Sequence, residues 1–302
     1  MKDYLKIIRW PNLLMIFIMQ ILLRYALIQP ILLLQGKSVL MNPFEFLILV
    51  FSCVFIAAGG YLINDIEDVE IDTINKPDKV LIGKNLQLDS VYNLYMIFTF
   101  IGVLGGFYLS FIKGYKYIGI INLVIAGFLY FYATSYKCIP LLGNLIIAML
   151  TAFSVWIIII PEPFALADSA VVSMVAGYTG FAFLLTLVRE LLKDLQDFKG
   201  DNECGCKTLP VSVGIKFTKF LSILLTIIIL LLIGGIQWLS EQWNNPFPFY
   251  YLLCTVEIPL LVLIPMIYKA NNVNSFARVS IITKMIMFTG VISMLLFYFS
   301  FQ

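Results

Sequence analysis

The sequence predicts an all-α, polytopic membrane protein: a bundle of about nine spanning helices around a central cavity open to the cytoplasmic side. Three observations lead there. Of the 302 residues, 61% are hydrophobic and only 13% charged, against about 45–50% and about 25% in soluble domains. The apolar residues fall in long runs rather than one-sided stripes, and each run is long enough to cross about 30 Å of hydrocarbon. Lipid offers no water to exposed backbone groups, so such runs fold as helices. The chain reads as a single domain over 1–302.

The candidate spans lie near 13–34, 44–63, 90–111, 117–134, 141–160, 170–188, 217–237, 249–268 and 281–300. The first, Leu13 to Leu34, is too long for the apolar core of a cleaved signal and ends in no small-x-small site, so it reads as a retained helix. With the N-terminus placed in the cytoplasm, the inner segments collect Lys2, Lys6, Arg9, Lys76, Lys79, Lys84, Lys137, Arg189, Lys193 and most later cations. The outer segments keep only Lys37, Lys113 and Lys116, and Arg24 lies inside the first span. The positive-inside rule favours that orientation, in the cell membrane.

Composition also excludes classes. A net charge of +2 gives no basis for nucleic-acid binding. The chain has no histidine, which removes a Ser-His-Asp hydrolase, a histidine zinc site and a histidine proton relay. The cysteines Cys53, Cys138, Cys204, Cys206 and Cys254 are scattered. Cys204-x-Cys206 reads as part of a reduced loop, not as a metal or redox pair.

One acidic pattern, D-x-x-D-x-x-x-D, occurs twice. It is carried by Asp65, Asp68 and Asp72, and again by Asp194, Asp197 and Asp201. The copies follow the second and sixth spans. Both numbers are even, so both copies face the cytoplasm and converge on one cavity. The four-helix offset suggests an internal duplication. Asn64, Asp68 and Asp72 are spaced i, i+4, i+8 and form one stripe on a helix. Asp197 and Asp201 are also i, i+4, with Asp194 one turn earlier. Carboxylates this dense beside a bilayer are costly unless something binds them. Mg²⁺ takes about six oxygens, commonly a few carboxylates plus phosphate oxygens. The expected metal ligands are therefore Asn64, Asp65, Asp68, Asp72, Asp194, Asp197 and Asp201, with Mg²⁺ ions carrying a diphosphate. The bland reading of a charge run is a solvated loop. It leaves unexplained why the pattern repeats, and why each copy abuts a span and precedes lysines and a proline: Lys76-Pro77 after the first, Lys207-Thr208-Leu209-Pro210 after the second. Nearby cations suit an anionic ligand. Arg9, Asn12, Lys76, Lys79, Arg189, Lys193 and Lys207 are the expected diphosphate contacts, although the positive-inside rule alone would place cations here.

The segments Asn64-x-x-x-Asp68-x-x-x-Asp72 and Asp197-x-x-x-Asp201 resemble the paired motifs of the UbiA superfamily of intramembrane prenyltransferases. Length, helix count and motif placement extend the likeness over essentially the whole chain. Arg189-Glu190-x-x-Lys193-Asp194, Lys207-Thr208-Leu209-Pro210, Ile8-Arg9-x-Pro11-Asn12 and Pro140-Leu141-Leu142-Gly143-Asn144 are most similar to the members that build ether lipids. Where those carry N-R-P-x-R-P, this chain has Asn75-Lys76-Pro77-Asp78-Lys79-Val80. Charge is kept, but the fork geometry of arginine is lost. The resemblance implies a Mg²⁺-dependent transfer of a long prenyl group, such as geranylgeranyl, from its diphosphate to a prenylglyceryl phosphate within the bilayer. Asp68, Asp72, Asp197, Asp201, Lys137 and Tyr132 are the implied catalytic residues. Lys137 closes the fourth span, and Tyr132 stands five residues before it in a Tyr-x-x-x-x-Lys segment like the family's, where its ring could face an allylic cation. Phe128, Tyr130, Phe131 and Tyr136 crowd the same helix, and for most of them packing is the simpler role.

Two rival readings remain. An aromatic acceptor, such as 4-hydroxybenzoate or a naphthoate, would lead to a quinone, and acceptor pockets are set by shape rather than motif. A secondary transporter would place its charges near mid-bilayer; only Arg24 and Glu257 stand out there, and the acids lie at the membrane edge.

Overall fold

The computed structural model describes residues 2–239 and 246–300. Among these residues the chain is helical throughout, apart from turns and one isolated bridge between Ile82 and Leu86. Helix α1 (Lys2–Ile7) precedes α2 (Trp10–Leu34), α3 (Pro43–Glu67), α4 (Val69–Asn75), α5 (Leu88–Phe111), α6 (Ile118–Tyr136), α7 (Leu142–Trp156), α8 (Ser169–Glu203), α9 (Leu209–Val213), α10 (Ile215–Trp238), α11 (Phe247–Lys269) and α12 (Val273–Phe299).

Eight of these, α2, α3, α5, α6, α8, α10, α11 and α12, are long and apolar enough to cross a membrane. The protein is a multi-pass membrane protein. The span expected at 141–160 is built differently from the others: α7 and the turn after it run between the two ends of the bundle, from Asn144 beside Asp194 to Glu162 beside Arg24. Helix α7 itself has 15 residues, about 22 Å at 1.5 Å per residue, and a turn rather than further helix completes the passage. Pro161 and Pro163 follow, and Ile157, Ile158 and Ile159 form a buried turn instead of more helix. The second departure is at the other extreme. The sixth span was expected to stop near 188, but α8 runs 35 residues without a break. That is about 52 Å, so about 20 Å of it extends beyond the hydrocarbon.

Helix starts follow local chemistry. At α3, Asn42 accepts from Glu45 N at 2.9 Å, Glu45 accepts from Asn42 N at 3.1 Å, and Pro43 opens the first turn. At α8, Asp168 accepts from the amides of Ala170 and Val171, both at 3.0 Å. Such caps satisfy donors that a helix cannot pair internally. Close packing of α3 on α5 depends on small residues, as is usual between membrane helices. A Cβ on Gly102 would meet the Ser52 carbonyl at 2.8 Å. Three apolar clusters result. One, around Leu23, Leu27, Phe46, Leu109 and Ile157, fills the end that holds Arg24. A second, around Ile7, Leu62, Ile63, Val91, Tyr95 and Tyr132, lies beneath the first acidic motif. The third joins α8, α10, α11 and α12 through Leu185, Val188, Ile229, Leu263 and Phe276. Large apolar side chains such as Phe111, Leu231 and Trp238 stay exposed on the periphery, the surface a bilayer would cover.

Candidate active site

Helix α3 delivers the first motif. Its helical ladder continues past Asp68 into α4: Asp68 N bonds Asn64 O at 3.0 Å, and Asp72 N bonds Asp68 O at 2.8 Å. Asn64, Asp68 and Asp72 therefore stand on one stripe, and the Asn64 amide donates to Asp68 Oδ2 at 2.6 Å. Helix α8 delivers the second motif on its projecting end. The two meet through Asn75, the last residue of α4. Its side chain donates to Asp197 O at 2.9 Å and accepts from Gly200 N at 2.8 Å. Gly200 is required at this crossing, because a Cβ would stand 2.5 Å from the Asn75 amide nitrogen.

Cations bridge the same gap. Lys76 Nζ straddles the Asp197 carboxylate, 2.6 Å from each oxygen. Lys137 pairs with Asp68. Arg9 bonds Asp65 at 2.5 Å and lies over the Tyr61 ring, 5.0 Å from its centre. Arg9 adopts a left-handed φ of 52° at the turn from α1 into α2. A non-glycine residue there carries strain of about 1–3 kcal/mol, and the conformation aims the guanidinium at Asp65. Lys137 and Tyr132 owe their placing to a wider π-helical turn over Tyr132–Tyr136, a feature that often marks functional sites. Gly143 then lets α7 approach the Lys137 backbone, since a Cβ would meet it at 3.1 Å.

A cavity of about 190 Å³ opens beside the motifs. Arg9, Asn12, Asn64, Tyr132, Arg189 and Lys193 line its polar end, and Ile16, Ile56, Leu129 and Leu150 are among those lining the apolar remainder. Not every residue expected from sequence is equivalent. Asp65 is off the stripe, occupied by Arg9, and faces a separate small hollow with Asp72 and Ile7. Asp194 accepts from the Asn144 amide at 2.8 Å, and Asp201 from the Thr208 hydroxyl at 3.0 Å. Lys207 is exposed; Lys79 closes the turn Pro77–Lys79 and its side chain lies outside the described residues. The cysteine expectation is corrected: Cys138, next to Lys137, is disulfide-bonded to Cys206, five residues after Asp201. Sequence reasoning also missed Asn75, Asn144, Thr208 and Glu190. The last accepts from Arg189 at 2.8 Å and stands 3.6 Å from Lys193.

The carboxylates facing one another leave a mark. Asp72 is pushed above the usual carboxylate range by burial first and then by Asp68 and Asp197, against the pull of Lys76 and Lys137. Among the described residues no three acids stand together as a finished metal cage. The donor set is nonetheless hard oxygen only, with lysines resting on Asp68 and Asp197 where a cation would sit, and that suits Mg²⁺ sharing its shell with phosphate oxygens.

A multi-pass helical bundle with paired aspartate stripes converging at one end of an apolar cavity defines a class: an enzyme acting on a diphosphate whose tail lies in lipid. The chain belongs to the UbiA prenyltransferase family, whose model matches residues 14–292. It is a prenyltransferase, and the transporter reading is set aside. It is 29% identical over 266 residues to the digeranylgeranylglyceryl phosphate synthase of Methanosphaera stadtmanae, covering 87% of this chain and 84% of that one. It is 36% identical over 175 residues to the Sulfurisphaera tokodaii synthase of the same name, where the match spans 58% of this chain and 60% of the relative. Solved structures agree in fold. A digeranylgeranylglyceryl phosphate synthase superposes with a TM-score of 0.67 at 24% identity, covering 98% of both chains. A UbiA homolog from Archaeoglobus fulgidus, solved with DMAPP and Mg²⁺, gives 0.55 at 14% identity, covering 97% of this chain and 99% of that one.

Proposed function

We propose that this chain transfers a geranylgeranyl group from its diphosphate to the glycerol hydroxyl of a prenylglyceryl phosphate, forming an ether lipid, as one catalytic domain over 1–302. The observation that carries the reading is the Asn75 clasp, which holds the two aspartate stripes at one end of a lipid-walled cavity. The relatives' shared synthase name supports the acceptor. The orientation belongs to the same proposal: the N-terminus and both acidic segments face the cytoplasm from the cell membrane, supported by the gathering of lysine and arginine at that end.

Asp68, Asp72, Asp197 and Asp201, with Asn64, would hold Mg²⁺. When bound, the metal supplies Lewis-acid neutralisation of the charge that builds on the leaving diphosphate. The chain's own residues do the rest. Lys76 and Lys137, which rest on Asp197 and Asp68, would turn from those carboxylates onto phosphate oxygens of a bound diphosphate. Arg9 and Asn12 line the polar end of the cavity, and Lys79 and Lys207 follow the two motifs in the chain. The allylic C–O bond breaks and its electron pair leaves with diphosphate. The hydroxyl oxygen bonds the freed carbon, and released diphosphate takes the hydroxyl proton. Tyr132, buried against the cavity, offers its ring face to the cationic carbon. The apolar wall keeps water away from that carbon, and holding two lipids side by side removes much of the entropic barrier to their meeting.

The test offers labelled geranylgeranyl diphosphate with geranylgeranylglyceryl phosphate and 4-hydroxybenzoate in competition. Label is expected in the ether lipid and lost when EDTA is added. Label in the aromatic product would overturn the acceptor assignment.

A further inference from the structure

Lys284 is a charge that neither motif explains. It lies on α12, twelve residues into the helix from Val273, about 16 Å along its axis, yet it lines the cavity with Met287. It makes no ion pair or hydrogen bond within the described residues, and its charged neighbours are Arg189 and Arg9. A lysine at this depth is costly, and facing two more cations raises the cost unless an anion arrives. One carboxylate lines the same cavity, Glu190, already engaged by Arg189 and Lys193.

The cations of this end therefore fall into two groups. Lys76 and Lys137 sit on the aspartates and do not line the cavity. Arg189, Lys193 and Lys284 line it with one acid among them, alongside Arg9, which is already paired with Asp65. A diphosphate held by metal on the aspartates uses the first group. The second is left for another anion inside the cavity.

We propose that Lys284, with Arg189, seats the phosphate of the acceptor lipid and sets the preference for a phosphorylated acceptor. The assignment rests on the prenyl-transfer reading above. It moves Arg189 and Lys193 from the donor diphosphate, where sequence placed them, to the acceptor side. Charge-assisted bonds to a phosphomonoester would satisfy the lysine and hold the glycerol hydroxyl toward Tyr132 and the motifs.

The experiment uses the full chain in lipid nanodiscs, with labelled geranylgeranyl diphosphate and two acceptors: geranylgeranylglyceryl phosphate and the same lipid without its phosphate. Lys284→Met should raise KM for the phosphorylated acceptor about tenfold, equivalent to about 1.4 kcal/mol. It should lower the kcat/KM ratio between the two acceptors by a similar factor, and keep the donor KM within about twofold. Lys284→Arg should recover most of the preference. Independently of turnover, the phosphorylated acceptor alone should raise the melting temperature of wild type but not of Lys284→Met. An unchanged acceptor ratio in a folded Lys284→Met, or a rise in donor KM instead, overturns the assignment and leaves the transfer reading standing. A wild type that labels neither glycerol lipid removes both.

Discussion

Both ends of the bundle bury ion pairs, and they are built differently. At the far end Arg24 meets Glu162 at 3.2 Å, with the two side chains only 3% and 2% exposed. Glu162 also accepts from Met41 N at 3.1 Å and from Leu40 N, and Arg24 donates to Met41 O and stacks 4.4 Å above Phe46. Burial pushes the Glu162 carboxyl up, and these donors pull it back. Each oxygen of that carboxylate is occupied from inside the protein. At the motif end the pairs are more lightly held: Lys76 sits on Asp197, Lys137 shares Asp68 with the Asn64 amide, and Arg9 sits on Asp65. Those side chains keep 9% to 31% exposure. A sealed pair whose carboxylate is filled from inside the protein belongs to the fold, whereas a carboxylate held by a reachable lysine can exchange it for a ligand.

That contrast can be broken in measurable ways. The largest effect should come from Asp68→Asn or Asp197→Asn. Transfer should fall on the order of 10³-fold or more, the scale on which removing a charge-stabilising group acts, while the melting temperature holds; near-normal turnover would return these acids to a structural role. Next, Glu162→Ala strands the Arg24 charge and should cost about 3–5 kcal/mol of stability. Read by thermal unfolding in detergent, it should leave kcat of the surviving folded protein near wild type. Should Glu162→Ala unfold nothing and slow catalysis, the two ends would have been misassigned. A smaller effect is expected from Lys76→Met, which should raise the donor KM about tenfold, the loss of one charge-assisted contact. An unchanged donor KM would remove Lys76 from the diphosphate. Smallest, Asn75→Ala removes two hydrogen bonds, about 1–3 kcal/mol in all. It should weaken the apparent Mg²⁺ affinity, seen as a higher metal concentration for half-maximal rate, more than it changes the acceptor KM.

What sequence could see follows from the same contrast. The spans were legible because lipid imposes long apolar runs, and the Asn64–Asp68–Asp72 stripe because helical spacing is local. The shortness of α7 was not, since Ile157 to Ile160 continues the apolar run while the chain turns. Nor was the partner of Arg24: Glu162 lies beyond five intervening helices, among two prolines that read as loop. Asn75, Asn144, Thr208 and Lys284 act only through distant elements, and a lone polar residue gives no periodic signal. The Cys138–Cys206 bond escaped sequence reading for the same reason, its cysteines being 68 residues apart in the chain.

The unbroken course of α8 has one more consequence. Thr186 at the cavity wall and Asp201 at the ionic mouth ride on one rigid screw, so the angle between them is fixed by pitch alone. A single residue inserted between Thr186 and Glu190 would swing every later carboxylate by about 100° and point them away from α4. The height at which a greasy tail hands its head group to water is thus written in the count of residues along one rod.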